Sequence, residues 1–397
     1  MQSHLYYKNS DLLITCAKAV TPWLAEEIQS LGYHVTEQLK LGVFTRGTFS
    51  DAILLNLKLR TAYRVLLRLD SGRAKSPGDL YRAVKRIKWE DYLHVDGYVC
   101  VTSSVKQPMI RDTRFANLKT KDAIVDRMKE VYKKRPDSGP ERDRAVVFVY
   151  WQDDQYSVFL DTTGEPLSKR GYRKIPLRAP MQETLAAAVL AATGWAGKDA
   201  LVNPMCGSGT LGIEAALRAL NKAPALTRSH FAFQHIKGFT GEHYHKLCLS
   251  LQKNSLEEMP GRIILSDHDK QAVRAAQKNA AAAGVEHLLE FHVCDFAETP
   301  VPPGNGIVVL NPGYGVRLQQ QNELEQLYKR IGDFMKQRCP GYTGYVFTGN
   351  LQLIRDIGLK PSRKYVFFNG DIESRLLKFD LYSGSRRTEK TSGESGD

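Results

Sequence analysis

At 397 residues the chain is long enough for two or three domains, and its 42% hydrophobic and 25% charged residues are typical of a folded globular protein. A formal charge of +13 favours a polyanionic partner. No stretch approaches ~18 uninterrupted apolar residues, the start MQSHLYYKNSDLLIT has no leader pattern, and six scattered cysteines form no C-x-x-C pair; these features exclude a membrane span, a zinc ribbon and a disulfide framework, and a cytoplasmic setting is expected.

In chain order, LLITCAKAV has the pattern of a strand and PWLAEEIQSLG that of a helix opened by Pro and closed by Gly. VFTRGTFSDAILLNLKL follows as strand, turn and helix. A second small α/β region then begins. GDLYRAVKRI and TKDAIVDRMKEVYKK space their apolar residues as helices do, and GYVCVTSSV, AVVFVYWQ and QYSVFLDT have strand patterns. Asp-Ser-Gly-Pro at 137–140 marks a loop, and GEPLSKRGYRK (164–174) has the composition of a linker. From Ala179 an Ala-rich helix is expected. Beyond it DALVNP, RIILSD, LEFHVCD, GIVVLNP and GYVFTGN alternate with helical segments such as TLGIEAALRAL, DKQAVRAAQKNAAAAG and NELEQLYKRIGDFMKQR. That alternation predicts a mostly parallel sheet covered by helices on both faces. The terminal GSRRTEKTSGESGD has no apolar content and is expected to be disordered.

The positive charge is uneven. Residues 1–178 carry 31 Lys+Arg against 21 Asp+Glu, and residues 58–88 carry ten against two. Residues 106–135 add ten against four, and SKRGYRKIPLR adds five with no acid. Concentration of basic runs in one part of the chain points to a polyanion bound there. In YRAVKRIK, Val84 and Ile87 belong to the core while Lys85, Arg86 and Lys88 offer phosphate contacts.

Ligands of open α/β sheets lie at the carboxyl ends of the strands. Here those ends are Asn203, Asp267, Asp295 and Asn311, each directly after an apolar run. The first continues as NPMCGSGT, where Gly207 and Gly209 permit close backbone approach and the helix from Thr210 presents free N–H groups. It is neither G-x-G-x-x-G nor G-x-x-x-x-G-K-[ST]. In SDHD, Asp267 is placed to accept ribose hydroxyls and Asp269 to cap the following helix. At the third end the Asp295 carboxylate can take an adenine amino proton while Phe296 packs the base. The three ends together describe a site for an adenosine with an amino-acid-like tail, S-adenosylmethionine rather than a dinucleotide. The fourth end, VVLNPGYGVRL, supplies Asn311, Pro312 and Tyr314, which can grip and stack a planar amine-bearing base.

NPMCGSGTLGIEAA, SDHD, VCDF and NPGYG resemble the motif series of class I methyltransferases acting on exocyclic amines. With RDTRFANLKTKDAIVD, RGYRKIPLRAPMQETLAAA and NGDIESRLLKF the similarity extends over residues 11 to 383, to THUMP-domain RNA methyltransferases that form N2-methylguanine in bacterial 23S ribosomal RNA. The resemblance implies a ferredoxin-like region (1–70), a THUMP RNA-binding domain (71–165), a linker (166–178), a Rossmann-like methyltransferase domain (179–384) and a tail (385–397). It further implies that Asn203, Pro204, Cys206, Gly207 and Gly209 line the methionine end of the cofactor, with Asp267 at the ribose and Asp295 and Phe296 at the adenine. Asn311 would then border the cofactor as well as the target amine. The APMQETLAAA helix would cover the site. Two positions depart from the family pattern, Asn203 where Asp is usual and Gly313 where a second Pro is usual.

Guanine N2 is a poor nucleophile because its lone pair is delocalised into the ring. Acceptance of its N–H bonds by the Asn311 side-chain oxygen and the Pro312 carbonyl would aim that lone pair and stabilise the positive charge developing on nitrogen. Asn-Pro-x-Tyr serves several amines, so a transfer RNA guanine and an adenine N6 stay open, and the departures at Asn203 and Gly313 leave open an RNA-binding or ribosome-assembly role without catalysis. Cys206 sits in the cofactor loop, away from the strand carrying Asn311, and is assigned to packing rather than covalent catalysis. His243, His245 and His292 lack carboxylate or thiolate partners at matching spacing, and no metal is expected.

Overall fold

A computed structural model describes residues 5, 8–110, 112–175, 177, 180–313 and 321–382. They form two compact units. One comprises the chain to Gly171 with Glu183–Ala188 and Asn221–Ser255; the other comprises Tyr172–Gln182, Val189–Leu220 and the chain from Leu256.

The first unit opens with β1 (Ser10–Cys16), α1 (Thr21–Ser30), β2 (Val35–Leu39), β3 (Gly42–Gly47), α2 (Phe49–Lys58) and β4 (Ala62–Arg73). It continues with α3 (Pro77–Arg86), β5 (Tyr98–Lys106), α4 (Thr113–Tyr132), β6 (Asp137–Ser138), β7 (Ala145–Gln152) and β8 (Gln155–Asp161). Among the described residues the sheet runs β2-β3-β1-β4-β8-β7-β5-β6. Local sequence sets the helix starts. Thr48 and Asp51 close a capping box on α2, Ser76 and Asp79 one on α3, and each such cap is worth about 1 kcal/mol. β4 is decisive for the layout, because it pairs antiparallel with β1 on one side and β8 on the other. A strand across positions 62–73 therefore joins the elements expected as separate regions 1–70 and 71–165 into one sheet. Its run of arginines hides it from a pattern reading: Leu66 and Leu67 are buried, whereas Arg64 and Arg68 pair with Asp161 and Asp11.

Two further segments differ from expectation. Asp137 and Ser138, in the expected loop, pair parallel with Tyr98 and Val99. The stretch from 164 is packed: Leu167 is buried and its N–H donates to Tyr63 O at 2.9 Å, and the buried Arg170 guanidinium donates to the carbonyls of Leu59, Arg60 and Leu167. A charge run has here become an internal clamp on three backbone carbonyls.

The second unit and its neighbours in sequence add α5 (Glu183–Thr193), β9 (Ala200–Pro204), α6 (Thr210–Ala219), α7 (Gly241–Lys253), β10 (Ile263–Asp267), α8 (Lys270–Ala283) and β11 (Leu289–Val293). β12 (Gly306–Leu310), α9 (Gln321–Arg338), β13 (Thr343–Thr348), β14 (Arg363–Asn369) and β15 (Ile372–Asp380) complete it. α7 belongs to the first unit, and the whole 221–255 segment folds there although it interrupts the second unit in sequence. Phe233 and Ala232 donate to Thr162 O and Thr163 O, Lys237 N–H to Tyr92 O, and the Phe231 and Phe233 rings stack at 4.7 Å.

The second sheet runs β11-β10-β9-β12-β13-β15-β14 among the described residues. The pairings from β11 through β13 are parallel, and β15 pairs antiparallel with both β13 and β14. Val202, Ile264, Val308, Leu310 and Val346 are fully buried, and α9 packs on them through Tyr328, Ile331 and Met335. The architecture is thus a doubly wound, mostly parallel sheet preceded by an α+β unit, as the sequence predicts. The chain moves outward from β9 through β10 to β11, then returns to the other side of β9 with β12. That reversal leaves a crevice at the carboxyl ends of β9 and β12. No helix among the described residues is long and apolar enough to cross a membrane.

Candidate active site

The four predicted strand ends do converge. Asn203, Asp267, Asp295 and Asn311 line one cavity of about 490 Å³, together with Met205, Cys206, Gly207, Phe296 and Gly313. The wall from the glycine turn is backbone. Gly207 and Gly209 adopt φ of 54° and 80°, which favour glycine. A Cβ on Gly209 would strike Ala276 Cβ at 2.8 Å, so this glycine is needed for packing. At Gly207 a Cβ would meet nothing within 4 Å, so this glycine keeps the wall open. Met205 carries φ of 60° without being glycine, a strained conformation of the kind found at ligand sites.

Asn203 is buried at 2% exposure, and its amide is oriented by chemistry. Nδ2 donates to Val309 O at 2.8 Å, just past the last backbone pair of β9 with β12, Val202 with Val308. Pro204 has no N–H to extend that ladder, so the side chain supplies the next rung. Oδ1, held on the opposite side of the amide, is buried with no hydrogen-bond partner. An unpaired buried oxygen in the wall of a cavity is costly unless something in the cavity donates to it.

Asp267, at 8% exposure, accepts the Gly207 N–H on Oδ2 at 2.9 Å and the Asp269 N–H on Oδ1 at 3.1 Å. It therefore holds the glycine turn in place and retains lone pairs for a ligand. Asp269 caps α8 by accepting the Gln271 N–H, as expected. Asp295 caps a short turn through the Ala297 N–H and pairs with Arg330 at 2.6 Å. Burial works to raise its pKa, but the Arg330 guanidinium and the Ala297 N–H bring it below the usual carboxylate range. Arg330 also lies over the Phe296 ring, 4.8 Å from its centre, and lines the cavity. No sequence motif marks Arg330; it reaches the site from α9, 35 positions after the carboxylate it serves.

Pro204 sits buried at the end of β9. Asn311 is half-buried at the rim, followed by the buried Pro312 and the exposed Gly313. Tyr314 lies outside the described residues. Leu177, Pro180 and Met181 contribute to the cavity wall, whereas α5, which begins at Glu183, supplies no lining residue. The part of the expected covering helix that reaches the cavity is its non-helical lead-in.

Burial first, and then the Asp267 carboxylate, push the Cys206 thiol well above its ordinary pKa. That is unfavourable for a nucleophilic thiolate. His243 pairs with Ser50 at 2.7 Å, and among the described residues no group of three or more His, Cys, Asp or Glu is arranged to hold a metal.

Of the basic residues, Arg86 and Lys88 line a groove of about 1430 Å³ in the first unit with Lys8, Lys237 and Lys246. Lys85 is instead committed to Glu130 at 2.6 Å. Val84 is buried, as the helical spacing predicts, but Ile87, expected in the core, follows the end of α3 in an extended conformation, is half-buried and lines the groove.

Comparison with known proteins gives the family to which the chain belongs. Residues 170–378 match the RMKL-like methyltransferase domain, 11–66 the RlmL ferredoxin-like domain and 74–161 the THUMP domain. The ribosomal RNA large subunit methyltransferase K/L of Syntrophotalea carbinolica is 36% identical over 378 residues, 92% of this chain. The chain spans about half that relative's own length (53%). Among solved structures, a possible methylase from Clostridium difficile 630 superposes with a TM-score of 0.87 at 29% identity, covering 96% of this chain and 100% of that one. SMU.472, solved in complex with SAH, superposes with a TM-score of 0.86 at 27% identity, covering 95% and 100%. The chain belongs to the family of RMKL-like methyltransferase domains, with an RlmL-type ferredoxin-like domain and a THUMP domain ahead of the catalytic fold.

Proposed function

We propose that the chain transfers a methyl group from S-adenosylmethionine to the exocyclic N2 amine of a guanine in 23S ribosomal RNA. The observation that carries this reading is the convergence of Asn203, Asp267, Asp295 and Asn311 on one cavity with an open glycine wall. SMU.472 with its bound SAH, and a relative named for ribosomal RNA methylation, support the same assignment.

The residues present fit the cofactor. The partnerless Asn203 Oδ1 suits a donor such as an α-ammonium, and Gly207 leaves room for the methionine end. Cys206 lines that end, Pro204 closes the strand that leads to it, and Gly209 holds the turn. Asp267 keeps lone pairs for the ribose hydroxyls, and Asp295 with Phe296 borders the adenine. When bound, the cofactor supplies an electrophilic sulfonium methyl. Asn311 and the Pro312 carbonyl accept the N–H bonds of the target amine, orient its lone pair and stabilise charge developing on nitrogen. Tyr314 stacks on the extruded base. The proton released is acidic enough to need no dedicated base. The groove bearing Arg86 and Lys88 contacts the RNA backbone.

Nucleoside mass spectrometry of ribosomal and transfer RNA from a deletion strain and its complemented parent tests the reading. Loss of one N2-methylguanosine from large-subunit RNA is expected. Loss of N6-methyladenosine, or of a transfer RNA nucleoside, moves the substrate elsewhere. An unchanged profile removes catalysis on these RNAs and leaves an RNA-binding role.

A further inference from the structure

Asn279 is a poor residue for its position. It lies inside α8 among the buried, otherwise apolar residues Ala272, Val273, Ala275, Ala276, Ala280 and Ala283, and it is 1% exposed. Asparagine weakens a helix interior, and a buried amide is costly unless its hydrogen bonds are made. Here its bonding is complete. Oδ1 accepts the N–H groups of Lys174 at 2.8 Å and Ile175 at 3.1 Å. Nδ2 donates to Ile175 O at 3.3 Å and to Ser208 O at 3.2 Å. Two donors and two acceptor lone pairs are all that an amide has.

One of these partners, Ser208, lines the candidate site; the other two, Lys174 and Ile175, do not line it but precede the lining residues of a second wall. Ser208 sits between Gly207 and Gly209 in the turn, while Lys174 and Ile175 lead to Leu177, Pro180 and Met181. Asn279 itself does not line the cavity. The lead segment has other ties, Tyr172 Oη to Glu214 and the Arg173 guanidinium to Met181 O and Thr210 Oγ1, but these go to α6 or to the segment itself. Asn279 bonds the lead segment and the glycine turn through one side chain.

We propose that Asn279 is a positioning residue that sets cofactor affinity by fixing the Lys174–Ile175 segment against the Ser208 turn, without touching the ligand. The proposal rests on the reading of this cavity as the S-adenosylmethionine site. It follows that the two walls are held at a fixed separation before ligand enters, which lowers the ordering cost of binding. A leucine at 279 would keep the volume and lose every bond. An aspartate would keep the acceptor for the Lys174 and Ile175 N–H groups and lose both donor bonds, to Ser208 O and to Ile175 O.

The test is titration calorimetry of the full chain with S-adenosylhomocysteine, combined with amide hydrogen exchange of the 172–175 segment. Asn279→Leu is expected to weaken binding about tenfold or more and to deprotect the Lys174 and Ile175 amides. Asn279→Asp is expected to keep much of that protection yet still lose affinity, which separates the two halves of the clasp. Ala280→Gly is the control, because it weakens α8 through helix propensity and the loss of one buried methyl while leaving all four Asn279 bonds in place. It should lower Tm and leave affinity within about twofold. Affinity in Asn279→Leu within twofold of the parent overturns the proposal, as does an equal loss in Ala280→Gly. A parent chain that binds no S-adenosylhomocysteine overturns the cofactor reading first and the affinity role with it. That result differs from failure of the clasp, in which the parent binds and Asn279→Leu binds equally well.

Discussion

Two cavities, one in each unit, show how little size says about chemistry. The groove of the first unit holds about 1430 Å³ and is lined by Lys8, Arg86, Lys88, Lys237 and Lys246, but also by Asp70, Glu90, Asp91 and Glu242. Several of those charges are already answered: Glu242 pairs with Lys246, Glu90 with Arg127, and Asp70 accepts from Tyr156. The cavity of the second unit is about a third as large, at about 490 Å³. It has an unpartnered buried oxygen, an open glycine wall and a strained Met205. A surface that satisfies itself suits a long partner held by many weak interactions. A small site with unmet polar groups suits one defined ligand.

Loss of Asn311 should give the largest effect, since it tests the smaller cavity as a place of reaction. Asn311→Ala should lower kcat about 100-fold or more while leaving S-adenosylhomocysteine affinity nearly intact, because its bonds to the amine strengthen as charge develops. Single-turnover transfer of labelled methyl to unmodified large-subunit RNA, beside calorimetry, reads both quantities. A loss of affinity without loss of kcat would move Asn311 from the reaction to cofactor binding.

Asp267→Ala should come next, at roughly 1–3 kcal/mol in cofactor binding. The structure gives a reason beyond ribose: the carboxylate also fixes the Gly207 N–H at 2.9 Å, so its removal loosens the wall as well as the ligand's own bonds. Equal affinities of parent and variant in calorimetry would take Asp267 out of the site.

The groove should respond differently, through salt rather than geometry. Arg86→Gln with Lys88→Gln should weaken RNA binding and flatten its dependence on salt by about 0.7–0.9 for each phosphate no longer neutralised. Lys85→Gln should do much less, because its ammonium already pairs with Glu130. Filter binding across a salt series decides between them. If Lys85→Gln flattens the slope as strongly as the double variant, the ion pair opens on binding and the division between Lys85 and the groove-lining Arg86 and Lys88 is wrong.

Legibility from sequence follows the same division. Asn203, Asp267, Asp295 and Asn311 could be picked out because each closes an apolar run, and parallel strands bring such positions to one rim. Arg330 and Asn279 could not, since each serves the site from a helix interior where polar residues are unremarked. β4 is hidden because its arginines mask its leucines, and the 221–255 segment because its place depends on the Ala232, Phe233 and Lys237 N–H groups meeting Thr163, Thr162 and Tyr92, far away in sequence. In each case the missing information was a long-range partner. Local pattern cannot carry that.

The smallest effect belongs to Gly313, and its sign sharpens the picture of the rim. The motif pattern that the sequence resembles has proline here, so Gly313→Pro would give a stiffer loop after Asn311. Nothing lies within 4 Å of a Cβ at this position, and its φ is outside the left-handed region. Proline needs φ near −65° and removes one N–H, while the exposed Gly313 has water available to its backbone. The entropy removed from the unfolded chain should raise stability by about 0.4–1 kcal/mol if the native φ suits the ring. Methyl transfer should stay within about twofold of the parent or rise, since the bonds assigned to Asn311 and Pro312 are untouched. Thermal unfolding and initial rates on the same preparation check both. A variant that is stable but inactive would show that the Gly313 N–H, or the freedom of that loop, takes part in the reaction cycle, and Asn311 and Pro312 alone would no longer account for the grip on the amine.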